Sequence, residues 1–323
     1  MGVRLGNGDG TFQAEITYPV SGAPYSVIVA DLNSDGKLDV AVSDFGAEGG
    51  PQGVEILLGN GDGTFKGTKR YDGGDQPTQL AVADFNGDGW ADLAVANRSD
   101  NKVSVLLGNG DGSFQPPRKY DVGQTPMFVA VGDFNLDGRL DMVVANNGNN
   151  SVSVLLGNGD GTFQKGYSIK VDNGAYGPYS IVVADFNGDK KPDLAVTNFS
   201  DGSVSVLLGK GDGTFLEKHD YATGDGPFTV AQGDFLGNGN LDLVTANNSN
   251  TVSVLLGNGD GTFQPVQNYR AGYSPASVVV GDFNHDGRPD LAVANRGDST
   301  ISVLLNVSNR HDTLSKSTPT HSP

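Results

Sequence analysis

The 323-residue chain contains no cysteine, so neither a disulfide framework nor a thiolate metal site can hold its fold. Its four histidines, His219, His285, His311 and His321, lie in unlike settings and offer no imidazole centre. With no GxSxG, no phosphate loop and no unique acid and base, the sequence predicts no enzyme. No apolar run approaches the ~18 residues of a membrane-spanning helix. Basic residues are scarce, 21 Lys and Arg against 38 Asp and Glu for a net charge of -17; this excludes the basic face that nucleic acid needs. Met1 to Phe12 has no signal-peptide character and already lies inside a repeat, from which a late start, or a piece of a larger exported protein, is expected.

Glycine is what the chain has in abundance, 48 residues, and one nine-residue stretch returns six times. The copies begin at Asp31 (DLNSDGKLD), Asp84 (DFNGDGWAD), Asp133 (DFNLDGRLD), Asp185 (DFNGDKKPD), Asp234 (DFLGNGNLD) and Asp282 (DFNHDGRPD), at intervals of 48 to 53 residues. Seventeen of the acidic residues lie in these loops. The acidity is largely ligand chemistry.

Oxygen-bearing side chains at positions 1, 3, 5 and 9, with glycine at 6 for a sharp turn, suit a hard cation, and calcium takes roughly 6 to 8 oxygen ligands. Soft metals have no donors here. The predicted ligand sets, each with its position-7 carbonyl, are Asp31, Asn33, Asp35, Lys37 and Asp39; Asp84, Asn86, Asp88, Trp90 and Asp92; Asp133, Asn135, Asp137, Arg139 and Asp141; and Asp282, Asn284, Asp286, Arg288 and Asp290. The fourth loop, Asp185, Asn187, Asp189, Lys191 and Asp193, carries Lys190 where glycine is expected, so weaker binding is predicted. The fifth retains Asp234, Asn238 and Asp242 but has Leu236 at position 3, and is expected to stay empty. An EF-hand is excluded, because position 12 is valine and both flanks are strand-like rather than helical.

Each repeat divides into four short apolar segments. The first follows a proline (Pro24, Pro77, Pro126, Pro178, Pro227, Pro275) and the second follows the Asp-rich loop, making that loop a hairpin connection. The third reads VSVLLG or a variant, and the fourth begins GTF; between them GNGDG is read as a tight turn whose glycines permit positive φ. Four strands per repeat predict an all-β fold, a β-propeller of four-stranded antiparallel blades.

The strand, DxNxDGxxD loop, strand arrangement resembles the FG-GAP or VCBS repeat of integrin α subunits and many bacterial surface proteins, over roughly residues 1 to 305. The resemblance implies a calcium-binding propeller with its metal loops between the two innermost strands of each blade. Thr11 to Tyr18 is expected to complete the last blade and close six blades; a seventh blade begun upstream is the alternative. Residues 306–323, rich in Ser, Thr and Pro, are expected to be disordered.

The connections away from the metal loops vary. Phe45 to Gly53 is a four-residue insertion, and Phe163 to Asp185 is three residues longer than its counterparts. Aromatics gather at the mouth of the first strands: Tyr25, Phe128, Tyr176, Tyr179, Phe228 and Tyr273. Variation on a constant scaffold marks a binding surface. A non-catalytic binding or adhesion module with a protein or glycan partner is therefore expected, at the cell surface or outside the cell; a carbohydrate-binding lectin is the alternative, as fungal propeller lectins have similar Asp-rich loops, and a polysaccharide-active domain a lesser one. Arg296-Gly297-Asp298 spells the tripeptide that integrins recognise, and Asn97, Asn149, Asn198, Asn247 and Asn306 are sequons.

Overall fold

Proline cannot donate to a strand ladder, so it sits where each first strand begins, and the apolar run behind it pairs antiparallel with the run after the Asp-rich loop. The computed structural model describes residues 1–7, 11–46 and 50–307. They form two compact units, divided between Lys170 and Val171.

The first unit opens with the short pair β1 (Gly2–Val3) and β2 (Ile16–Thr17). Three four-stranded meanders follow: β3 (Pro24–Ala30), β4 (Asp39–Asp44), β5 (Gly53–Gly59) and β6 (Phe65–Tyr71); β7 (Pro77–Ala83), β8 (Asp92–Asn97), β9 (Lys102–Leu106) and β10 (Arg118–Asp121); β11 (Pro126–Gly132), β12 (Asp141–Asn146), β13 (Ser151–Leu155) and β14 (Tyr167–Lys170). The second unit holds β15 (Pro178–Ala184), β16 (Asp193–Asn198), β17 (Ser203–Leu207) and β18 (His219–Ala222); β19 (Pro227–Gly233), β20 (Asp242–Asn247), β21 (Thr251–Leu255) and β22 (Gln267–Arg270); and a three-stranded sheet of β23 (Pro275–Gly281), β24 (Asp290–Asn295) and β25 (Thr300–Leu304). Within each unit the first strands of successive sheets pack together, β3 on β7 on β11, and β15 on β19 on β23. These six sheets are the blades of an all-β propeller; a 3-10 turn at Asn147–Asn149 is the only helical segment among the described residues.

The second strands of the first five sheets are sandwiched, so their residues are buried on both faces and read as an unbroken apolar run instead of an alternating one; β24 departs, with Ala294 exposed. All six residues of β8 are buried, as are those of β12. Between these two blades Phe85, Ala94, Val103, Val105 and Leu107 meet Val129, Met142, Val144 and Phe163. The outer strand keys into the next blade through its tyrosine: Tyr71 lies edge-on to Phe114 at 5.3 Å, Tyr120 to Phe163 at 5.4 Å, and Tyr221 to Phe263 at 5.3 Å.

Two expectations change. Ile16–Thr17 pairs with Gly2–Val3, and the last blade has three strands among the described residues. Tyr18 nevertheless repeats the tyrosine key, meeting Phe65 edge-on at 5.4 Å and accepting the Phe65 N–H on its hydroxyl, so the N-terminal hairpin stands to the first blade as each outer hairpin stands to its successor. Asn306, placed at the start of the disordered tail, is buried and ordered: its N–H donates to Asp290 and its Nδ2 to the Phe235 carbonyl. The tail beyond Val307 lies outside the described residues.

Candidate metal centre and aromatic surface

The six Asp-rich loops share one architecture, set by two carboxylates with different tasks. The position-1 Asp folds the loop over itself. Asp84 accepts the N–H groups of Gly87 and Asp88 on Oδ1 and that of Gly89 on Oδ2; Asp31, Asp133, Asp185, Asp234 and Asp282 accept the position-6 N–H at 2.8 Å in the same way. Position 6 then takes a left-handed conformation, which glycine adopts without strain. Lys190 is forced into it at φ 65°, as the sequence predicts. Position 4 is left-handed too, at Ser34, Leu136 and His285, a constraint that sequence reading misses because glycine alternates there with ordinary residues.

The position-9 Asp ties the loop to the rest of its blade. Asp92 is fully buried; Oδ2 accepts the Phe85 N–H at 2.9 Å and Oδ1 the Gly108 N–H at 2.7 Å. Asp39, Asp141, Asp193, Asp242 and Asp290 repeat this pair of bonds. The first glycine of GNGDG is therefore there for proximity, not for a positive φ: a Cβ on Gly108 would lie 2.3 Å from the Ala91 carbonyl oxygen. The later two glycines do take the positive φ expected of the turn, as at Gly110 and Gly112. The turn's own Asp is spent locally, Asp62 accepting the N–H and hydroxyl of Thr64.

Negative charge accumulates in these loops. Burial, and after it the nearby carboxylates, push Asp92 and Asp193 up to about 6 despite the two N–H groups each accepts, with Asp88 and Asp84 acting on Asp92 and Asp189 and Asp185 on Asp193. Asp242, with Asp234 as its acidic neighbour, is also pushed up to about 6, chiefly by burial. The position-7 side chain offsets some of this charge at position 5: Lys191 lies 3.2 Å from Asp189 and Arg288 2.6 Å from Asp286, which holds the Asp286 carboxyl down at about 2. The second loop has Trp90 there instead. The donors present, carboxylate, amide and carbonyl oxygen without nitrogen or sulfur, fit a hard cation. Among the described residues no three His, Cys, Asp or Glu side chains are gathered so that they could hold a metal ion; in these loops a shell would draw also on the position-3 amide, the position-7 carbonyl and water. Each position-9 oxygen keeps one acceptor direction beyond its N–H bond.

Trp90 is 42% exposed and lies over the Gly110 turn, where a Cβ would meet its indole. It lines an open cleft of about 500 Å³ with Asp31, Ser34 and Asp84.

The six aromatics do not form one set. Tyr25, Tyr176 and Tyr273 are 51%, 60% and 62% exposed, whereas Phe128, Tyr179 and Phe228 are half-buried. Tyr25 stacks on Phe45 at 5.8 Å, with the Arg98 guanidinium over Phe45. Tyr179 meets Phe199 at 5.3 Å, and Phe228 closes a three-ring cluster under Arg296. Phe45 and Phe199 are the residues that sequence reading overlooks. The signal was present: both directly follow a second strand, where the other repeats carry Arg or Asn.

Arg296 and Asp298 are both engaged, the latter accepting the Tyr273 N–H and the Thr300 hydroxyl, so the integrin tripeptide is not a free loop. Asn97, Asn198, Asn247 and Asn306 are buried, leaving Asn149 as the exposed sequon.

FG-GAP-like repeats match residues 2–42, 45–95, 84–144, 133–196, 185–245 and 234–293. The chain belongs to the FG-GAP repeat family. Its fold is similar to that of an Agrocybe aegerita lectin described as recognising non-reducing terminal N-acetylglucosamine, at TM-score 0.60 and 24% identity over 88% of this chain and 77% of the lectin. It is also similar to a Desulfotomaculum acetoxidans protein of unknown function, at TM-score 0.65 and 12% identity over 91% and 86% of the two chains, and to a Lactobacillus plantarum protein, at 0.60 and 16% over 83% and 78%. No curated protein sequence matches the chain.

Proposed function

We propose that this protein is a calcium-stabilised propeller that acts without catalysis, as a binding module at the cell surface or outside the cell. The observation that carries the reading is the second loop, where burial and then the neighbouring carboxylates of Asp88 and Asp84 push Asp92 up to about 6, with no basic side chain at position 7. Calcium would be held by Asp84, Asn86 and Asp88, the Trp90 carbonyl and the remaining acceptor directions of Asp92, and would supply the charge balance that lets these carboxylates stay ionised. Weak sites of ~10⁻⁴ to 10⁻³ M suit calcium levels outside the cell. Calorimetric titration tests this: four strong sites and a weakened one at Asp185 are expected, and a chain that binds no ion would overturn it.

Glycan is the partner that a specific observation favours. Tyr25 at the start of β3 and Tyr273 just before β23 present large exposed rings, Tyr25 backed by Phe45, and a flat ring on a rigid support suits the apolar face of a sugar. The fold neighbour that binds N-acetylglucosamine is consistent with this. Binding on a glycan array that falls at least tenfold in Tyr25→Ala or Tyr273→Ala supports the glycan reading; no glycan bound at high micromolar protein directs the search to a protein partner.

A further inference from the structure

The fourth repeat breaks a charge pattern that the second repeat keeps. In the second, the turn between β8 and β9 carries Asp100, whose carboxylate lies 3.7 Å from the Lys119 ammonium, with Lys102 close by. In the fourth, the corresponding turn between β16 and β17 carries Asp201. The strand register puts Asp220 in the place of Lys119, opposite the buried serine, and Ser203 in the place of Lys102. Asp201 faces a second carboxylate instead, that of Asp172, which the three-residue insertion before β15 brings in.

Asp172 is fully buried, and its Oδ2 has no hydrogen-bond partner. The backbone donors around it are spent: the Gly174 N–H goes to Asp172 Oδ1 at 2.7 Å, the Asn173 N–H to Asp201 Oδ2 at 3.2 Å, and the Tyr176 N–H to Ser200 Oγ at 2.9 Å. A buried acceptor without a donor is destabilising, more so when it is charged. Two touching carboxylates and a lone buried oxygen need a positive partner, and no ion pair to Asp172 or Asp201 is found among the described residues.

We propose that Asp172 and Asp201 hold a hard divalent cation, calcium by the chemistry of its donors, at a site separate from the six Asp-rich loops. The two carboxylates supply the charge, and water completes the shell. The ion fastens the inserted segment, which bears the exposed Tyr176, to the β16–β17 turn. The proposal does not require the repeat loops to bind calcium.

The test compares calcium stoichiometry by calorimetry for the full chain and for Asp201→Asn and Asp172→Asn. Each variant is expected to bind one ion fewer, with the other sites unchanged. In chelator at neutral pH, Asp201→Asn is expected to be at least as stable as the parent, because a like-charge contact is gone; lost binding then does not report misfolding. An unchanged ion count in folded Asp201→Asn overturns the proposal and assigns the pair a shared proton. If the loops bind ions while the variants lose none, only this inference falls; if the parent binds no ion at all, the loop reading falls with it.

Discussion

Asp92 accepts the Gly108 N–H at 2.7 Å, across sixteen residues of chain, and this bond joins the Asp-rich loop to the GNGDG turn beside it at the same end of the blade. The second oxygen of Asp92 holds the start of the loop through Phe85. One buried carboxylate thus fixes both ends of the loop whether or not it also touches a cation. The same residue type at positions 1 and 5 shapes the loop's interior instead.

Replacing Asp92 by Asn turns one acceptor into an N–H₂ donor facing a backbone N–H. The loss of a charged hydrogen bond and the exposed donor clash are expected to cost about 2–3 kcal/mol, read as a lower midpoint in urea unfolding under chelator. An unchanged midpoint would mean that the paired bonds of Asp92 do not carry the hairpin.

Stability under chelator should fall as pH rises from about 4 to 6. Asp92, Asp193 and Asp242 titrate at about 6 in the folded chain against an ordinary 3.8, so between those values the folded state binds more protons than the unfolded one and loses ground as they leave. Asp286, lowered to about 2, acts in the opposite direction, but only in more acid solution. Saturating calcium favours the ionised loops and is expected to flatten or reverse the slope. Parallel curves with and without calcium would contradict this.

Lys190 sits at φ 65°, where an L residue with a side chain costs about 1–2 kcal/mol. Lys190→Gly removes that cost and gives back part of it through the freer unfolded chain. A net gain of roughly 0.5–1 kcal/mol is expected, with tighter calcium binding at the fourth loop. Lys190→Ala, equally strained, serves as the control and should show no gain.

Much of this was legible in the chain. The recurring loops, the prolines that open the first strands and the sandwiched second strands each follow from local chemistry, and Lys190 announced its own strain. What escaped depends on contacts between repeats. The first glycine of GNGDG looks like a turn residue, yet it answers to the Ala91 carbonyl one strand away. Ile16–Thr17 looks like part of a closing strand, yet it pairs with Gly2–Val3. Position 9 reads as one more ligand in a row of four, while its burial and its two backbone bonds are visible only once β8 and β9 are paired. Phe45 and Phe199 fell between segments and had no periodicity to draw attention to them.

The most direct test of the calcium account uses Trp90, the chain's single tryptophan, which stands in the second loop. Terbium, a calcium-sized luminescent ion, is titrated in with excitation of the indole and then displaced by calcium, for the parent and for Asp88→Asn. Asn238 already holds the equivalent place in the fifth loop and accepts the same position-7 N–H at 2.9 Å, so this variant keeps the fold. Saturable terbium emission that calcium displaces, and that weakens at least tenfold in affinity in Asp88→Asn, is the predicted result. No sensitised emission, or emission indifferent to both calcium and the variant, would contradict the account and leave the loops as turns.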